Sequence, residues 1–355
     1  MRKSLARSTA IAAITAIIAA ACGGGATGGA SSAPATVAVT TAAAATATTA
    51  AAVQPTKPVE FVISTAPGGA SDIYARFIQG AIEKNNLMTQ PLTPVNKDGG
   101  SGAVAFQYVY DHKGDMHYIM ITLNSFFTTL IVQKLAFKAT DFTPIANLAL
   151  DPFYLWVNND SPWKTADDFI KAAQANSLTV AGTGSKQEDE VMFRRIQDLK
   201  QTKPFKYVPE AGGGTVAKDL AGTGAVKIDA SVNNPSEGLG LYTATPPKVR
   251  PLCGFLPTSP TDGPFKGLAT CKSQGLEIDD YFVMRAIMGP PGLSAAQQSY
   301  WAGVFKKVFD SADWQDFMKK NSLNPDFKSG ADFTKFIADY QKLHEDIAKK
   351  NGWVQ

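Results

Sequence analysis

An apolar strand, Val59 to Ser64, runs into Thr65-Ala-Pro-Gly-Gly-Ala-Ser-Asp72 and then into a helical run, Ile73 to Ile82. A glycine-rich turn between strand and helix gathers several free backbone N–H groups at one point. The positive end of the helix dipole faces the same point, which suits an anion. A second turn of this kind follows Leu178 to Ala181, as Gly182-Thr-Gly-Ser185, with a helix from Glu188. The two lie about 115 residues apart, so the chain is expected to form two α/β lobes, each offering a pocket to a shared cleft.

Strands and helices alternate between these turns. Ile73, Phe77, Ile78, Ala81 and Ile82 fall on one helical face. Leu92–Asn96, Tyr118–Leu123 and Phe142–Leu150 read as further strands of the first lobe. Gly99-Gly-Ser-Gly102 opens a helix, and Asn124-Ser125 opens another. In the second lobe, Thr165 with Asp168 three residues on forms a capping box with Asp in place of Glu. Phe153–Val157, Phe205–Val208, Val226–Val232 and Val249–Leu256 read as its strands. Tyr281–Gly289 is a return strand, ended by Pro290-Pro-Gly292, after which only helices are expected. The strands are expected to run mainly parallel within each lobe.

The ends bound the setting. Arg2, Lys3 and Arg7 precede an apolar run, Ala10 to Ala21, too short to span a bilayer. Ala19-Ala-Ala-Cys22 then resembles a lipobox, with lipid expected on Cys22; an ordinary signal peptide cut near Ala21 is the alternative. The Ala/Thr/Gly-rich stretch 23–56 cannot bury a core and reads as a disordered tether. Without the three basic leader residues, Lys+Arg falls from 34 to 31 and equals the 31 acids. That balance argues against nucleic acid as a partner. Cys253 and Cys271 close a short Pro/Gly/Thr-rich loop and are expected to pair in an exported protein; two buried thiols are the alternative.

The ordered pieces resemble the substrate-binding proteins of tripartite tricarboxylate transporters, the Bug-type receptors. The resemblance rests on Ala66-Pro-Gly-Gly69 with Asp72 and Ala75-Arg76, Gly99–Gly102 and Ile119–Ser125. Gly182–Ser185, Tyr207 with Gly212–Gly214, and Pro290-Pro-Gly292 complete it, in family order over about residues 58 to 352. It implies a type II periplasmic-binding-protein fold: two α/β lobes joined by two crossover segments, with a ligand cleft between them. The expected domains are leader 1–22, tether 23–56, first lobe 57–152, second lobe 153–279, and first lobe again at 280–355. It also implies an extracytoplasmic receptor that captures a small organic carboxylate and hands it to transporter membrane subunits. A sensor partner of a histidine kinase and a secreted hydrolase are the alternatives. The protein is expected to be a monomer held at the membrane by its lipid, in the periplasm or on the outer face of the cell membrane. Neither cofactor nor metal is expected. Many family members carry Ser or Thr followed by His where this chain has Lys186-Gln-Glu-Asp189.

The expected ligand contacts are Gly68, Gly69 and Ser71 in the first turn and Asn124 and Ser125 after a central strand. Gly184 and Ser185 are expected from the second turn, with Gly212, Gly213 and Gly214, whose three successive glycines suggest close backbone approach. Plain turn and capping roles are the alternative for the glycines, Asn124 and Ser125. Asp72, Lys186 and Tyr207 are further candidates, although pairing with Arg76 suits Asp72 and solvation suits Lys186. Glu188, Asp189 and Glu190 read most simply as a solvated helix start. His112, His117 and His344 lack metalloprotease spacing, and the sequence has no C-x-x-C, G-x-S-x-G or P-loop motif.

Overall fold

The computed structural model describes residues 53–278 and 281–355. The leader, Cys22 and stretch 23–52 of the tether lie outside the described residues.

The first sheet begins with β1 (Val59–Ile63), α1 (Ala70–Lys84), β2 (Leu92–Asn96), α2 (Ala103–Asp111), β3 (Tyr118–Thr122), α3 (Ser125–Val132) and β4 (Thr143–Asp151). The chain then enters a second sheet: β5 (Tyr154–Asn158), α4 (Ala166–Ala175), β6 (Thr179–Thr183), α5 (Glu188–Lys200), β7 (Lys206–Glu210), α6 (Gly213–Leu220), β8 (Ala230–Asn233), α7 (Pro235–Tyr242) and β9 (Val249–Gly254). It returns through β10 (Val283–Gly289), α8 (Ala295–Asp310), α9 (Ala312–Lys320), β11 (Asn324–Ser329) and α10 (Gly330–Lys350). The sheet orders are β11-β4-β10-β3-β1-β2 and β7-β6-β8-β5-β9.

Period-two alternation explains why each sheet is covered on both faces. In β1, Phe61 and Ile63 point into a core with Trp301 and Phe305, while Val62 joins Phe106, Phe126 and Phe127 on the other face. In β5, Leu155 and Val157 face Phe169 and Val191, while Tyr154 and Trp156 face Val216 and Phe265. The capping box at α4 forms as the spacing predicts: Asp168 N–H donates to the Thr165 hydroxyl at 3.2 Å, and Thr165 N–H to the Asp168 carboxylate at 3.0 Å.

The sheets are mixed rather than mainly parallel. β2 and β3 flank β1 in parallel, but β10 runs antiparallel to β3 and β4. In the second sheet β6 is parallel to β7 and β8, while β5 is antiparallel to β8 and β9. The reason is the route of the chain. Most strands end at the side facing the other sheet, whereas β5 and β10 enter from that side. The expectation of only helices after Gly289 also fails, because β11 pairs antiparallel with β4 at the sheet edge. Its sequence, Asn-Pro-Asp-Phe-Lys-Ser, lacks alternation; Pro and charges suit an edge strand.

Cys253 at the end of β9 is bonded to Cys271, 18 positions further on, with Cα atoms 4.9 Å apart. Both are buried in the core of the second sheet. Closing a loop of this size restricts the unfolded chain and contributes roughly 3 kcal/mol. Replacing both cysteines with serine is therefore expected to lower the denaturation free energy by about that amount. An unchanged midpoint in a urea titration would contradict this.

Candidate functional site

The turns that follow β1, β3, β6, β7 and β8 all meet where the two sheets face each other, at the carboxyl ends of these strands. Ligands of open α/β sheets collect in such crevices. Two adjoining spaces lie there. An inner pocket of about 20 Å³ is lined by Gly69, Ser71, Glu188, Asp189, Glu237 and Arg285, among others. An outer chamber of about 360 Å³ is lined by Ser64, Gly99–Gly102, Ser125, Gly184, Ser185 and Gln187, among others. Thr65 and Thr183 belong to both walls.

Arg285 is the centre of the inner wall. It stands in an otherwise apolar strand and is 1 % exposed. Its guanidinium donates to the Asp151 carboxylate at 2.6 and 3.0 Å, to the Ser71 hydroxyl at 3.2 Å and to the Asn234 side-chain oxygen at 2.8 Å. The Tyr74 ring lies 4.8 Å from it, and the Tyr74 hydroxyl donates to the same Asp151 oxygen at 2.7 Å. Asp151 is the last residue of β4, and Arg285 stands near the start of β10. The pair therefore joins the point where the chain leaves the first sheet to the point where it returns.

The expected anion turn is already engaged. Ala70 N–H, in the first turn of α1, donates to the Glu237 carboxylate at 3.0 Å. Ser125 N–H, at the start of α3, donates to the Glu188 carboxylate. Both acids stand in the first turns of helices of the second lobe, α5 and α7, and both donors are helix N-termini of the first lobe. Each contact matches a negative group with a positive helix end. Burial pushes the Glu188 carboxyl up to about 7, although the N–H groups of Glu188 and Ser125 and the charge of Arg285 oppose it. Burial also raises Glu237 and, with the charge of Glu237, raises Asp189 well above the usual range.

Glu188, Asp189 and Glu190 are thus buried rather than a solvated helix start. Asp189 tucks under its own turn, accepting from Thr183 N–H at 2.5 Å. Only a glycine at 182 leaves room, since a Cβ there would sit 2.3 Å from the Asp189 Cβ. Gly213 has a like reason: a Cβ would sit 2.0 Å from the Glu237 carboxyl carbon. At Gly214 a Cβ would come within 2.9 Å of the Gly68 carbonyl oxygen in the facing lobe. The close approaches at Gly213 and Gly214 are therefore to protein groups.

Of the other expected residues, Gly69, Ser71, Gly212 and Gly213 line the inner pocket, and Ser125, Gly184 and Ser185 the outer chamber. Gly68 lies beside the turn, its N–H donating to Asp72 at 3.0 Å. Asp72 is held locally by Arg76 and Asn96. Burial alone would raise its carboxyl, but Arg76, Gly68 N–H and Asn96 outweigh that and hold it low. Asn124 is spent on β10, donating to Phe282 C=O at 2.8 Å and accepting from Met284 N–H at 3.0 Å. The Tyr207 hydroxyl donates to Gly184 C=O at 2.9 Å, which shapes the turn from behind. Lys186 has φ +58 and gives its N–H to Glu190 at 2.7 Å.

Sequence reasoning missed Arg285, Asp151, Asn234, Glu237 and Ser101. A lone Arg inside an apolar strand was one available signal for a buried ion pair. Asn234-Pro-Ser-Glu237, a capping-box spacing, was another; Asn234 N–H donates to Glu237 at 3.3 Å. Ser101, at φ +57, reaches across the cleft: its hydroxyl accepts from Ser185 N–H at 3.4 Å and its carbonyl from the Gln187 amide at 2.8 Å.

Breaking a buried pair leaves one charge uncompensated. Asp151→Asn or Arg285→Met is therefore expected to cost about 3–5 kcal/mol of folding stability. The double variant Asp151→Leu/Arg285→Met is expected to lose less than either. Equal loss in all three, read from chemical denaturation, would contradict a role based on charge pairing.

The sequence profile of the Tripartite tricarboxylate transporter family receptor matches residues 74–353. A Cupriavidus necator relative, the UPF0065 protein in gbd 5′ region, is 25% identical over 302 residues, 84% of this chain and 88% of that protein. BugT of Bordetella pertussis is 21% identical over 183 residues, 49% of this chain and 54% of that protein. Among solved structures, MatC of Rhodopseudomonas palustris with bound malate superposes with a TM-score of 0.73 at 19% identity, covering 82% of this chain and 99% of that one. An R. palustris protein solved with adipate gives a TM-score of 0.74 at 20% identity, covering 84% and 98%. These two likenesses are of fold. Because the family profile spans most of its length, the chain belongs to the tripartite tricarboxylate transporter receptors, a family of extracytoplasmic solute-binding proteins.

Proposed function

We propose that this receptor captures a small organic carboxylate in the cleft between its two sheets and presents it, in the closed form, to the membrane subunits of a tripartite transporter. The observation that carries this reading is the meeting of five strand-end turns from both lobes around one pair of adjoining spaces. Related folds hold malate and adipate in the R. palustris proteins, which supports a carboxylate here. The donors open to such a group include the hydroxyls of Ser64 and Thr65, which line the outer chamber without a hydrogen-bond partner. Closure is a hinge motion about the two crossings, and solute shifts the balance between open and closed forms.

Within this reading the protein works as a monomer outside the cytoplasmic membrane, tethered by lipid on Cys22. The leader pattern supports the anchor. Cys22→Ser is expected to abolish incorporation of labelled palmitate and to release the protein from membranes. Continued labelling of the variant would end the lipoprotein assignment.

Gly214 offers a test of closure. Its missing Cβ lets the turn come against Gly68 C=O of the other lobe. Gly214→Ala is expected to hold the lobes apart and weaken solute binding at least about tenfold, with little effect on folding. Gly240→Ala, where a Cβ meets nothing within 4 Å, is the control. Calorimetric titration with a panel of mono-, di- and tricarboxylates reads the effect. Equal affinities in both variants would separate binding from closure.

A further inference from the structure

Gln341, Glu345 and Lys349 follow one another at intervals of four on α10 and so share one helical face. α10 packs on α3, where the His344 and Phe127 rings stack 5.0 Å apart. Near the end of α3, whose first residue Ser125 lies at the cleft, the two helices enclose a separate pocket of about 220 Å³. Leu130, Ile131, Leu135, Phe137 and Val354 give it an apolar wall.

One amide stands in that wall. Gln341 is 9 % exposed. Its Nε2 donates to the Glu345 carboxylate at 2.9 Å. A carboxylate accepts and does not donate, so this bond fixes which way round the amide lies. Oε1 is then turned away from Glu345, and it has no hydrogen-bond partner among the described residues. A buried acceptor left unpaired carries a desolvation penalty that a bound donor removes.

Size and charge narrow the donor. An apolar cavity of about 150 Å³ lined by Leu, Ile and Phe holds benzene, so this pocket has room for one ring with a substituent at each end. Lys138 and Lys349 stand at its exposed edge. Lys335, Lys342 and Lys350 on the same helix are paired with Asp339, Asp346 and Asp198. The ammonium groups of Lys138 and Lys349 have no ion pair among the described residues. With Glu345 bonded to Gln341, two cations face one engaged acid, and the edge suits an anion.

We propose that this pocket is a second ligand site, for a single-ring molecule with a hydroxyl at one end and a carboxylate at the other. The ring lies against Leu130, Leu135 and Phe137. The hydroxyl donates to Gln341 Oε1, and the carboxylate meets Lys138 and Lys349. The site is independent of what the cleft binds.

The probe is 4-hydroxybenzoate, with benzoate as the control that lacks the donor and phenol as the control that lacks the charge. Methyl NMR of the purified protein reports where each one binds: Leu130, Ile131, Leu135 and Val354 belong to the pocket, and Leu123 to the cleft. 4-Hydroxybenzoate is expected to shift the four pocket signals saturably and to bind about tenfold tighter than benzoate. Gln341→Leu keeps the bulk, removes the acceptor and is expected to erase that preference. Lys138→Ala together with Lys349→Ala, both at exposed positions, is expected to weaken 4-hydroxybenzoate and leave phenol unchanged. The methyl spectrum of each variant shows whether it is folded. Movement of Leu123 alone would make the probe a cleft solute and overturn the second site. Pocket signals that do not saturate would overturn it as well. So would benzoate binding there as tightly as 4-hydroxybenzoate, a preference that survives Gln341→Leu, or a lysine variant that weakens phenol equally.

Discussion

The ion pair between Arg285 and Asp151 is the constraint around which the two-lobed architecture is arranged. Two fully buried charges are stable only with good geometry and further hydrogen bonds. Here Ser71, Tyr74 and Asn234 complete the shell. These partners come from α1, from the end of β4 and from the start of α7, so one guanidinium ties both lobes and both crossings. The Asn234 amide donates in turn to Pro152 C=O at 2.9 Å, in the segment between the two sheets. This knot is a buried, fully charge-paired point beside the cleft.

Around that point the lobes meet by matching carboxylates to helix ends. Glu237 sits on α1 and Glu188 on α3, each crossing from the second lobe to the first. The chain has thereby placed its own carboxylates where a solute anion would be welcomed in a simpler cleft. The consequence is electrostatic. Carboxyl groups removed from water hold their protons more tightly, and Glu188 does so to about 7. The shift at Glu188 is set by its burial against the start of α3.

Much of the fold was legible because the turns punctuate it. Ala66-Pro-Gly-Gly69 and Gly182-Thr-Gly-Ser185 announced two strand–turn–helix units, and the return strand was visible at Tyr281–Gly289. Strand direction was not legible, because alternation in β5 and β10 says nothing about the side from which the chain enters. β11 was hidden for a related reason: its pairing with β4 is tertiary and owes little to its own sequence. In the candidate site, the glycine turns read from the sequence line the two spaces, but the sequence did not name the groups packed against them. Glu188 and Asp189 look like any acidic first helical turn, and only the arrival of α3 and α7 from distant sequence removes them from water. Arg285 shows the opposite case, a charge whose apolar neighbours already implied a buried partner that the sequence could not name.

Second-lobe carboxylates seat on first-lobe helix ends, away from water. Carbon-13 NMR titration of the glutamate side-chain carboxyls, with Glu188 assigned through Glu188→Gln, tests this seating directly. A Glu188 midpoint at about 7 is the result that burial against α3 requires. A midpoint near about 4.3, that of a solvated glutamate, would mean that Glu188 stands in water and that the cleft is not joined in this way.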